Sequence, residues 1–309
     1  MYNRKMNQEY FLKKLDKAEK LFKWWQKNEG ASWGKRIRRA VKFNLKYLDF
    51  LLSKRNHRIF KGKTFFGANI FGIMPEHFYW SFLGILPDDS EINLSKYLIK
   101  NIKEGDIFFD IGANCGFYTL LARLLVGTKG EVHSFEPTPK IFNLLKKNTI
   151  GFSNVFTNNL AVYQTRGRLD FYLGEFSTGN SLKKIENTNF QKTIIDAISI
   201  DEYCKEHTLK PNFIKIDVEG AEEDVVLGAQ NVLKANNPDI AMEIWQSNNK
   251  SHRNAFQLLV GLGYVPHLID KNGDLQVVAA SDQIIFEDYL QIPNFGSFGN
   301  ILFRKIKSR

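Results

Sequence analysis

The chain has 309 residues, 43% of them apolar, with 43 Lys/Arg against 33 Asp/Glu for a formal net charge of +10, which predicts a globular protein with room for one α/β domain and an additional segment. The two cysteines, Cys115 and Cys204, lie too far apart in sequence to indicate a metal site or a disulfide framework. No uncharged run reaches the ~18 residues needed to span a bilayer and no signal peptide is recognisable, so we expect a cytoplasmic protein, soluble or peripheral to the inner face of a membrane.

The N-terminal region carries the positive charge. Residues 1–60 hold 17 Lys/Arg and 5 Asp/Glu, against 26 and 28 in the remaining residues. Apolar residues repeat at helical spacing in residues 8–28 and again after Gly34, which predicts two amphipathic helices in a basic extension spanning residues 1–56. Three interpretations remain open: a helix pair packed on the core or on a second copy of the chain, a membrane-surface element, and, less favoured, a nucleic-acid arm.

A larger domain follows in residues 57–309, and its first part, residues 57–104, is rich in aromatic residues. β-prone residues and turn signals between residues 58 and 87 predict two or three short strands that form a flank or lid over one edge of the core sheet. Packing is the favoured interpretation of these aromatic side chains, ahead of a platform for an acceptor. A helix from Glu91 to Lys103 then leads into a core at residues 105–309.

The first core strand ends in a glycine-rich turn that predicts a ligand-binding edge. A phosphate loop would need a Gly-Lys-Ser/Thr ending, which this turn lacks, and a dinucleotide fingerprint would need glycines where the chain has Asn114 and Phe117. The acid-x-Gly-x-x-x-Gly spacing of Asp110, Gly112 and Gly116 remains, with Asn114 at a position where a left-handed backbone is often needed. This spacing suits S-adenosylmethionine, because the acid can meet the cationic amino group of its methionine part and the helix N-terminus can meet its carboxylate.

Two later strand ends complete the predicted cofactor site. Glu136 follows the second strand, 20 residues after Gly116, where a carboxylate can accept hydrogen bonds from both hydroxyls of a ribose, and Pro137 stops the strand there. A surface acid that caps the next helix is the weaker alternative for Glu136. A third strand at residues 155–156 leads into a turn that contains Asn159 and can lie against an adenine. An exposed strand is expected at residues 168–173, and a polar loop at residues 177–181 either contacts the acceptor or is an ordinary connection.

The fourth and fifth strands supply the candidates for the chemistry. The run from Asn212 to Glu222 predicts a buried strand beside the first, at the switch point of a doubly wound sheet, so Asp217 and Glu219 should face the methyl donor. Glu243 interrupts a fifth strand, and a carboxylate in a core strand is costly unless it is partnered or faces a ligand. Residues 271–274 predict a tight turn, and the further elements, ending in a strand at residues 300–303, fit a closing antiparallel pair.

The chain resembles FkbM-family methyltransferases across roughly residues 91–245. The segments that carry the resemblance, in the family's order, are residues 110–119, 135–137, 159–161, 200–202 and 214–222 and Glu243. The resemblance implies a class I, Rossmann-like doubly wound sheet of seven strands with the last pair antiparallel, S-adenosylmethionine as cofactor, and a hydroxyl of a sugar, glycan or natural product as acceptor. It also implies site roles: Asp110, Gly112, Asn114 and Gly116 around the methionine end, Glu136 at the ribose, Asn159 near the adenine and Asp217 beside the reacting sulfonium.

Methyl transfer from a sulfonium is a direct displacement, which needs alignment and a place for the proton of the acceptor hydroxyl. We hypothesise that Asp217 is the general base, with Glu219 orienting the acceptor and Glu243 as a third catalytic candidate. A divalent metal shared by Asp217 and Glu243 is considered but not favoured, because no His cluster accompanies them. Two rival functions remain: an RNA 2′-O-methyltransferase, and a non-catalytic scaffold with the same fold in a glycan assembly.

Overall fold

The computed structural model describes residues 4–27, 58–74, 76–78, 80, 83–174, 191–245, 250–277 and 298–305. Its helices are α1 (Arg4–Lys27), α2 (Asp89–Asn101), α3 (Phe117–Val126), α4 (Pro139–Thr149), α5 (Ile200–His207), α6 (Glu222–Leu227), α7 (Gln230–Asn236) and α8 (Lys250–Gly261). Its strands are β1 (Ile59–Lys63), β2 (Asn69–Ile73), β3 (Ile107–Ile111), β4 (Glu131–Phe135), β5 (Val155–Asn158), β6 (Ala161–Val162), β7 (Gly167–Leu173), β8 (Gln191–Ile198), β9 (Phe213–Ile216), β10 (Asp239–Trp245), β11 (Tyr264–Ile269), β12 (Leu275–Val277) and β13 (Phe298–Lys305).

Eight strands form the central sheet, in the order β12-β11-β13-β10-β9-β3-β4-β5. The strands from β10 to β5 in this order run parallel, whereas β13 is antiparallel to both β10 and β11. After β3 the chain adds β4 and β5 on one side of the sheet, and after β9 it adds β10 on the opposite side. This reversal places a topological switch point at the carboxyl ends of β3 and β9. The predicted class I Rossmann-like fold with its closing antiparallel pair is therefore confirmed.

The central sheet has one strand more than the seven predicted. Short β12 pairs with β11 at the sheet edge, after a turn in which the Asp270 carboxylate accepts hydrogen bonds from the backbone N–H groups of Asn272 (2.8 Å) and Asp274 (2.9 Å). The turn predicted at residues 271–274 is thus confirmed. The strand after it has only 3 residues, too few for an alternating pattern to identify it in the sequence.

Two hydrophobic cores cover the two faces of the central sheet. Successive residues of a strand point to opposite faces, so Phe108 packs on Phe213 in one core, with 5.1 Å between ring centroids, whereas Phe109 packs on Phe135 and Tyr203 in the other. Helices α1 to α4 contribute to the first core and helices α5 to α8 to the second. Because both faces are covered, a ligand approaches the sheet at its edges.

Helix α1 packs on the first of these cores. Its Phe22 and Trp25 are buried, and the buried Lys96 of α2 donates a hydrogen bond to Glu19 of α1 at 2.6 Å. The first helix predicted in the basic extension is confirmed and begins at Arg4. The second lies outside the described residues. Within the part of the chain that the structure describes, no helix has the length and apolar composition that crossing a bilayer requires.

The aromatic-rich segment contributes an antiparallel hairpin of β1 and β2, which confirms the prediction of short strands there. The Asn148 side chain of α4 fixes this hairpin to the core, because it accepts a hydrogen bond from the Phe71 N–H (2.7 Å) and donates one to the Phe71 carbonyl (2.9 Å). Asn148 also donates to the Cys115 carbonyl at 2.8 Å. The hairpin is therefore tied to the glycine-rich turn at the end of β3.

A separate three-stranded sheet, in the order β6-β8-β7, lies between the third and fourth strands of the Rossmann-like unit in sequence. Strand β7 matches the exposed strand expected at residues 168–173. Strand β8 was not predicted, although its buried residues Ile195 and Ala197 alternate with exposed ones. The polar loop expected at residues 177–181 lies outside the described residues.

Candidate active site

The turn after β3 brings the two long sequence motifs into contact. Gly112, Asn114 and Gly116 adopt positive φ angles of 80°, 49° and 91°, so the left-handed backbone predicted at Asn114 is confirmed. A Cβ atom on Gly112 would lie 1.7 Å from the backbone oxygen of Asp217. Only glycine therefore lets the end of β3 approach the end of β9, and this approach gathers the acidic side chains of both strands at one edge.

Asp110 offers an unpaired oxygen at this edge. Its side chain is buried, and its Oδ2 accepts a hydrogen bond from the Thr119 hydroxyl at 2.6 Å. Its Oδ1 is buried without a hydrogen-bond partner among the described residues. Burial raises the pKa of Asp110, and the nearby Lys215 ammonium opposes that rise. Because an unpaired buried oxygen is costly, Asp110 fits a cationic ligand group such as the amino group of a methionine moiety.

Glu136 lies in the smaller of two adjoining cavities at this edge. The smaller cavity has a volume of about 110 Å³ and an apolar wall of Phe135, Leu160, Val162 and Phe171. Glu136 accepts hydrogen bonds from the backbone N–H groups of Thr138 (2.8 Å) and Asn114 (3.1 Å). Burial raises its pKa to about 7 against the effect of these donors. A carboxylate has about four acceptor positions, so room remains for the hydroxyls of a ribose.

Asn159 supports the Glu136 turn through the backbone. Its side-chain amide donates hydrogen bonds to the carbonyl oxygens of Glu136 (2.8 Å) and Pro137 (3.0 Å). The next residues, Leu160 and Ala161, line the smaller cavity. Asn159 thus holds in place the turn that presents Glu136. Its predicted position near an adenine stays a prediction.

The larger cavity, of about 420 Å³, adjoins the smaller one, and both are lined by Gly112, Asn114, Asp217 and Glu219. The rings of His77 and Trp80 line the larger cavity and stack with their centroids 4.3 Å apart. Both residues come from the aromatic-rich segment, for which the sequence favoured packing over a binding platform. Trp80 is buried and contacts Phe117 of α3, with 5.9 Å between centroids, so the packing role is confirmed. A role as an acceptor platform stays a prediction.

Lys215 lies at this edge of the sheet, and the sequence analysis did not single it out. Its buried ammonium lies 2.8 Å from Asp217 Oδ2 and 4.9 Å from the centroid of the Tyr118 ring. Burial alone would lower the pKa of Lys215, but the charges of Asp217, Asp110 and Glu91 outweigh burial and raise it. A lysine in the middle of a buried Phe-Ile-Lys-Ile strand is the signal that would have found it, because a buried cation needs a partner.

Asp217 lies where the two cavities meet and stays ionised. Burial pushes its pKa upward, but the Lys215 charge and hydrogen bonds from Glu243 and Lys215 outweigh burial and hold the pKa below its ordinary value. For Glu243, burial and the Asp217 charge raise the pKa to about 10. Glu243 is therefore protonated at neutral pH and donates its hydrogen bond to Asp217. Glu243, for which the sequence predicted a partner or a ligand-facing position, therefore has a partner.

Glu91 is a second residue at this site that the sequence analysis did not single out. It accepts hydrogen bonds from the Tyr118 hydroxyl (2.6 Å) and the Asn300 amide (2.8 Å), and it lines the larger cavity. Burial raises its pKa, and the Lys215 charge opposes the rise. Glu91 lies far from the motifs in sequence, and only the packing of α2 against α3 and β13 brings it to the site.

Glu219 lies on a strained turn that faces both cavities. It has a positive φ of 53°, which is uncommon for a residue with a side chain, and Gly220 follows with a φ of 102°. The Glu222 carboxylate holds this turn by accepting a hydrogen bond from the Gly220 N–H at 2.9 Å. Burial, Asp217 and Glu222 together raise the pKa of Glu219 to about 8. Glu219 therefore presents a largely protonated carboxyl group beside the ionised Asp217.

The predicted site residues thus converge, except for Asn159, which acts through the backbone. Among the described residues, no group of three or more His, Cys, Asp or Glu side chains is arranged to hold a metal ion. The donor set instead fits S-adenosylmethionine: an unpaired Asp110 oxygen for an amino group, Glu136 for a ribose and an apolar wall for a base. The acidic edge also suits the positive charge of a sulfonium.

Comparison with known proteins finds methyltransferases among the proteins similar to this chain. The hexuronic acid methyltransferase AglP of Haloferax volcanii is 28% identical over 149 residues, which cover 48% of this chain and 59% of AglP. The 2-O-methyltransferase NoeI of Sinorhizobium fredii is 24% identical over 167 residues, which cover 48% of this chain and 68% of NoeI. The solved FkbM methyltransferase of Methylobacillus flagellatus has 17% identity and a TM-score of 0.40, over 65% of this chain and 43% of that one.

The chain therefore spans less than two thirds of the length of AglP. A family model described as the methyltransferase FkbM domain matches residues 110–266, just over half of the chain. The matched segment begins at Asp110 and includes the ends of β3, β4, β9 and β10, where the acidic side chains of the site lie. By this match the chain belongs to the FkbM methyltransferase family.

Proposed function

We propose that this protein transfers the methyl group of S-adenosylmethionine to a hydroxyl of an uncharged sugar, glycan or natural product. The observation that carries the proposal is the junction of the two cavities at Asp217, with Glu136 and an apolar wall in the smaller cavity and a wider space lined by carboxyl groups and aromatic rings in the larger one. The names of AglP and NoeI, methyltransferases of a hexuronic acid and of a 2-O position, support an oxygen acceptor on a sugar.

Residues of both cavities hold the donor. Asp110, at the edge of the larger cavity, accepts a hydrogen bond from the amino group. In the smaller cavity Glu136 accepts hydrogen bonds from the ribose, and the wall around Phe135 and Leu160 contacts the adenine. Bound there, S-adenosylmethionine supplies an electrophilic methyl group on a sulfonium. The ends of β3 and β9 keep these groups in place because Gly112 packs directly on the Asp217 backbone.

Asp217 positions the acceptor hydroxyl and takes its proton. A carboxylate with a lowered pKa is a weak base. The hydroxyl becomes strongly acidic once its oxygen bears a second carbon, so the ionised Asp217 carboxylate is sufficient to take the proton. Lys215 and Glu243 keep Asp217 ionised and oriented. Glu219, largely protonated near neutral pH, donates a hydrogen bond to a second oxygen of the acceptor and so orients it.

The charge of the larger cavity selects the acceptor. The carboxyl groups that line it are Glu76, Asp88, Glu91, Asp110, Asp217, Glu219 and Glu243, against Lys215 as the one cation among its lining residues. Glu219 and Glu243 are largely protonated near neutral pH, but the carboxylates that stay ionised, Asp217 among them, disfavour an anionic acceptor, because like charges repel one another more strongly where the dielectric is low. Uncharged hydroxyl compounds are therefore favoured over uronic acids, sugar phosphates and RNA.

Calorimetry and a methylation assay test this proposal. We expect S-adenosylmethionine to bind the wild-type protein, and the protein to methylate neutral polyols or oligosaccharides in preference to matched uronic acids. Transfer of the labelled methyl group to an acceptor, followed by product analysis, identifies an O-methyl ether. Absence of cofactor binding would favour the non-catalytic scaffold, and a preference for uronic acids or RNA would contradict the assigned acceptor class.

A further inference from the structure

A groove away from the active site gathers three cations. It is lined by residues of the β1–β2 hairpin, of the last turns of α3 and α4, and of the segment after α4, and its volume is about 500 Å³. Lys61, Arg123 and Lys147 line it, and no Asp or Glu is among its lining residues. We call it the cationic groove. Its sign of charge is opposite to that of the larger cavity.

The three cations of the groove contact aromatic rings. The Lys147 ammonium lies 3.8 Å from the centroid of the Phe71 ring, and the Lys61 ammonium lies 5.9 Å from the same centroid. The Arg123 guanidinium lies 3.8 Å from the centroid of Phe152. None of the three forms an ion pair with a carboxylate in the described ranges. A cation on an aromatic face keeps its charge available to an anion from outside.

One donor in the groove has no partner. Arg123 Nε is buried and makes no hydrogen bond within the described part of the chain. Burial lowers the pKa of Arg123, and no nearby acid compensates for it. The groove is also built on a fixed frame, since Asn148 ties Phe71 to α4 through two hydrogen bonds. An unpartnered donor in a fixed frame is an expected feature of a site whose acceptor comes from a ligand.

Exposed apolar residues surround these cations. Ile150 is 79% exposed and Leu124 is 36% exposed, and both line the groove. Ile59, on the same face of β1 as Lys61, is 54% exposed. A fully hydrated soluble anion gains no binding free energy from exposed apolar side chains. A membrane surface, in contrast, has phosphate groups next to acyl chains, which apolar side chains can contact.

A neighbouring cavity extends this amphipathic character. Arg123 and Leu124 line both the cationic groove and a cavity of about 420 Å³ whose apolar wall includes Phe11, Ile102 and Leu125. Cationic and apolar surfaces are therefore adjacent. From these features we propose that the cationic groove binds the phosphate headgroups of anionic lipids and so places the protein against a membrane surface. This inference does not depend on the proposed methyl transfer.

Vesicle binding by the full-length protein tests the inference. The probes are vesicles of mixed phosphatidylglycerol and phosphatidylcholine, with pure phosphatidylcholine vesicles and inorganic pyrophosphate for comparison. We expect wild-type protein to sediment with the anionic vesicles, and the variant Lys61→Glu/Lys147→Glu to lose at least about tenfold in partitioning, since each basic residue near an anionic surface contributes measurably. Both lysines are exposed, so their reversal leaves the core intact.

The matched control is Lys129→Glu/Lys146→Glu, which makes the same change in net charge at two exposed lysines outside the groove. We expect it to retain most of the binding. Equal losses in both variants would show that net charge alone acts, and equal retention would show that the basic N-terminal region acts; either result overturns the inference. Pyrophosphate binding that needs Lys61 and Lys147, without vesicle binding, would overturn the lipid assignment. Should the double reversal fail to fold, Lys61→Gln/Lys147→Gln replaces it.

Discussion

The two cavities of the active site differ in the part of the chain that builds them. All residues that line the smaller cavity lie between residues 111 and 221, inside the segment that the FkbM family model matches. The larger cavity draws Glu76, His77, Trp80 and Glu91 from before that segment. The donor side of the site is thus built by the family domain, and the acceptor side is completed by this chain's own flank.

The two cavities also differ in electrostatics. Glu136 in the smaller cavity is satisfied by backbone N–H groups, which are neutral donors. Asp217 and Glu243 in the larger cavity depend on each other and on the Lys215 ammonium. Removing one charge from the smaller cavity should therefore affect few neighbouring groups. Removing one from the larger cavity should shift the pKa values of the groups coupled to it. From this difference we expect some substitutions to alter the binding of S-adenosylmethionine and others to alter turnover.

The largest effect is expected at the junction of the cavities. Asp217→Asn should lower kcat by about 10²–10⁴-fold, the range of general-base catalysis, while the Kd for S-adenosylmethionine stays nearly unchanged. Steady-state kinetics and calorimetry on the same preparation measure both quantities. The control is Asp170→Asn, which breaks an exposed Lys192–Asp170 pair of the same 2.8 Å length. Unchanged turnover in Asp217→Asn would remove Asp217 from the reaction.

A second effect should separate the two ends of the donor site. Asp110→Asn and Glu136→Gln should each weaken S-adenosylmethionine binding by about 10–100-fold, as expected for loss of a charge-assisted hydrogen bond. Methylthioadenosine keeps the ribose and lacks the amino acid part. Its affinity should fall with Glu136→Gln and remain unchanged with Asp110→Asn. Calorimetry with both ligands checks this, and equal losses for methylthioadenosine in the two variants would contradict the assignment of ends.

A third effect concerns the acceptor side alone. Trp80→Leu removes a ring face of the larger cavity and should raise the acceptor KM by about tenfold, the value of a lost aromatic contact, without altering the Kd of the donor. The matched control is Trp25→Leu, an equally buried tryptophan of α1 that lines none of the cavities described above. Kinetics with a neutral sugar acceptor measure the change. An equal rise in the control would show that Trp80 acts only through stability.

The same division explains what the sequence could predict. The donor side is encoded locally: the spacing of Asp110, Gly112 and Gly116, and the acid at Glu136, follow directly from where strands end at a switch point. The closing antiparallel pair was expected from the last elements of the chain, and the doubly wound sheet of seven strands was implied by the family resemblance. These features need no knowledge of how distant segments pack.

The acceptor side could be predicted only in part. Lys215 could have been identified from the sequence by the argument that identified Glu243, because each residue places a charged group that needs a partner in a buried strand. Glu91 and Trp80 were not, because their place depends on how α2 and the hairpin fold over the edge of the sheet. Short elements such as β12 carry too few residues to show a period. The prediction from sequence was limited by contacts between distant segments and by elements that are too short to show a period. The sequence motifs themselves were clear.

The smallest effect follows from the raised pKa values of two buried acids. Glu136 and Glu243 have folded pKa values of about 7 and about 10, above their ordinary value of 4.5. Such a group stabilises the fold fully at pH below 4.5, and this contribution is lost as the pH rises through the folded pKa. For Glu136 the loss is complete near pH 7, whereas for Glu243 it continues to near pH 10.

Without cofactor, the wild-type free energy of unfolding should therefore fall by about 1.4 kcal/mol per pH unit between neutral pH and the folded pKa of Glu243. Glu243→Gln should flatten this fall, because the amide cannot ionise and can still donate a hydrogen bond to Asp217. Glu136→Gln should leave the alkaline fall intact and flatten only the part below pH 7. Denaturant unfolding at a series of pH values measures these slopes. Identical slopes in both variants would mean that the two cavities share one titrating network, and the division between a locally satisfied donor side and a coupled acceptor side would fail.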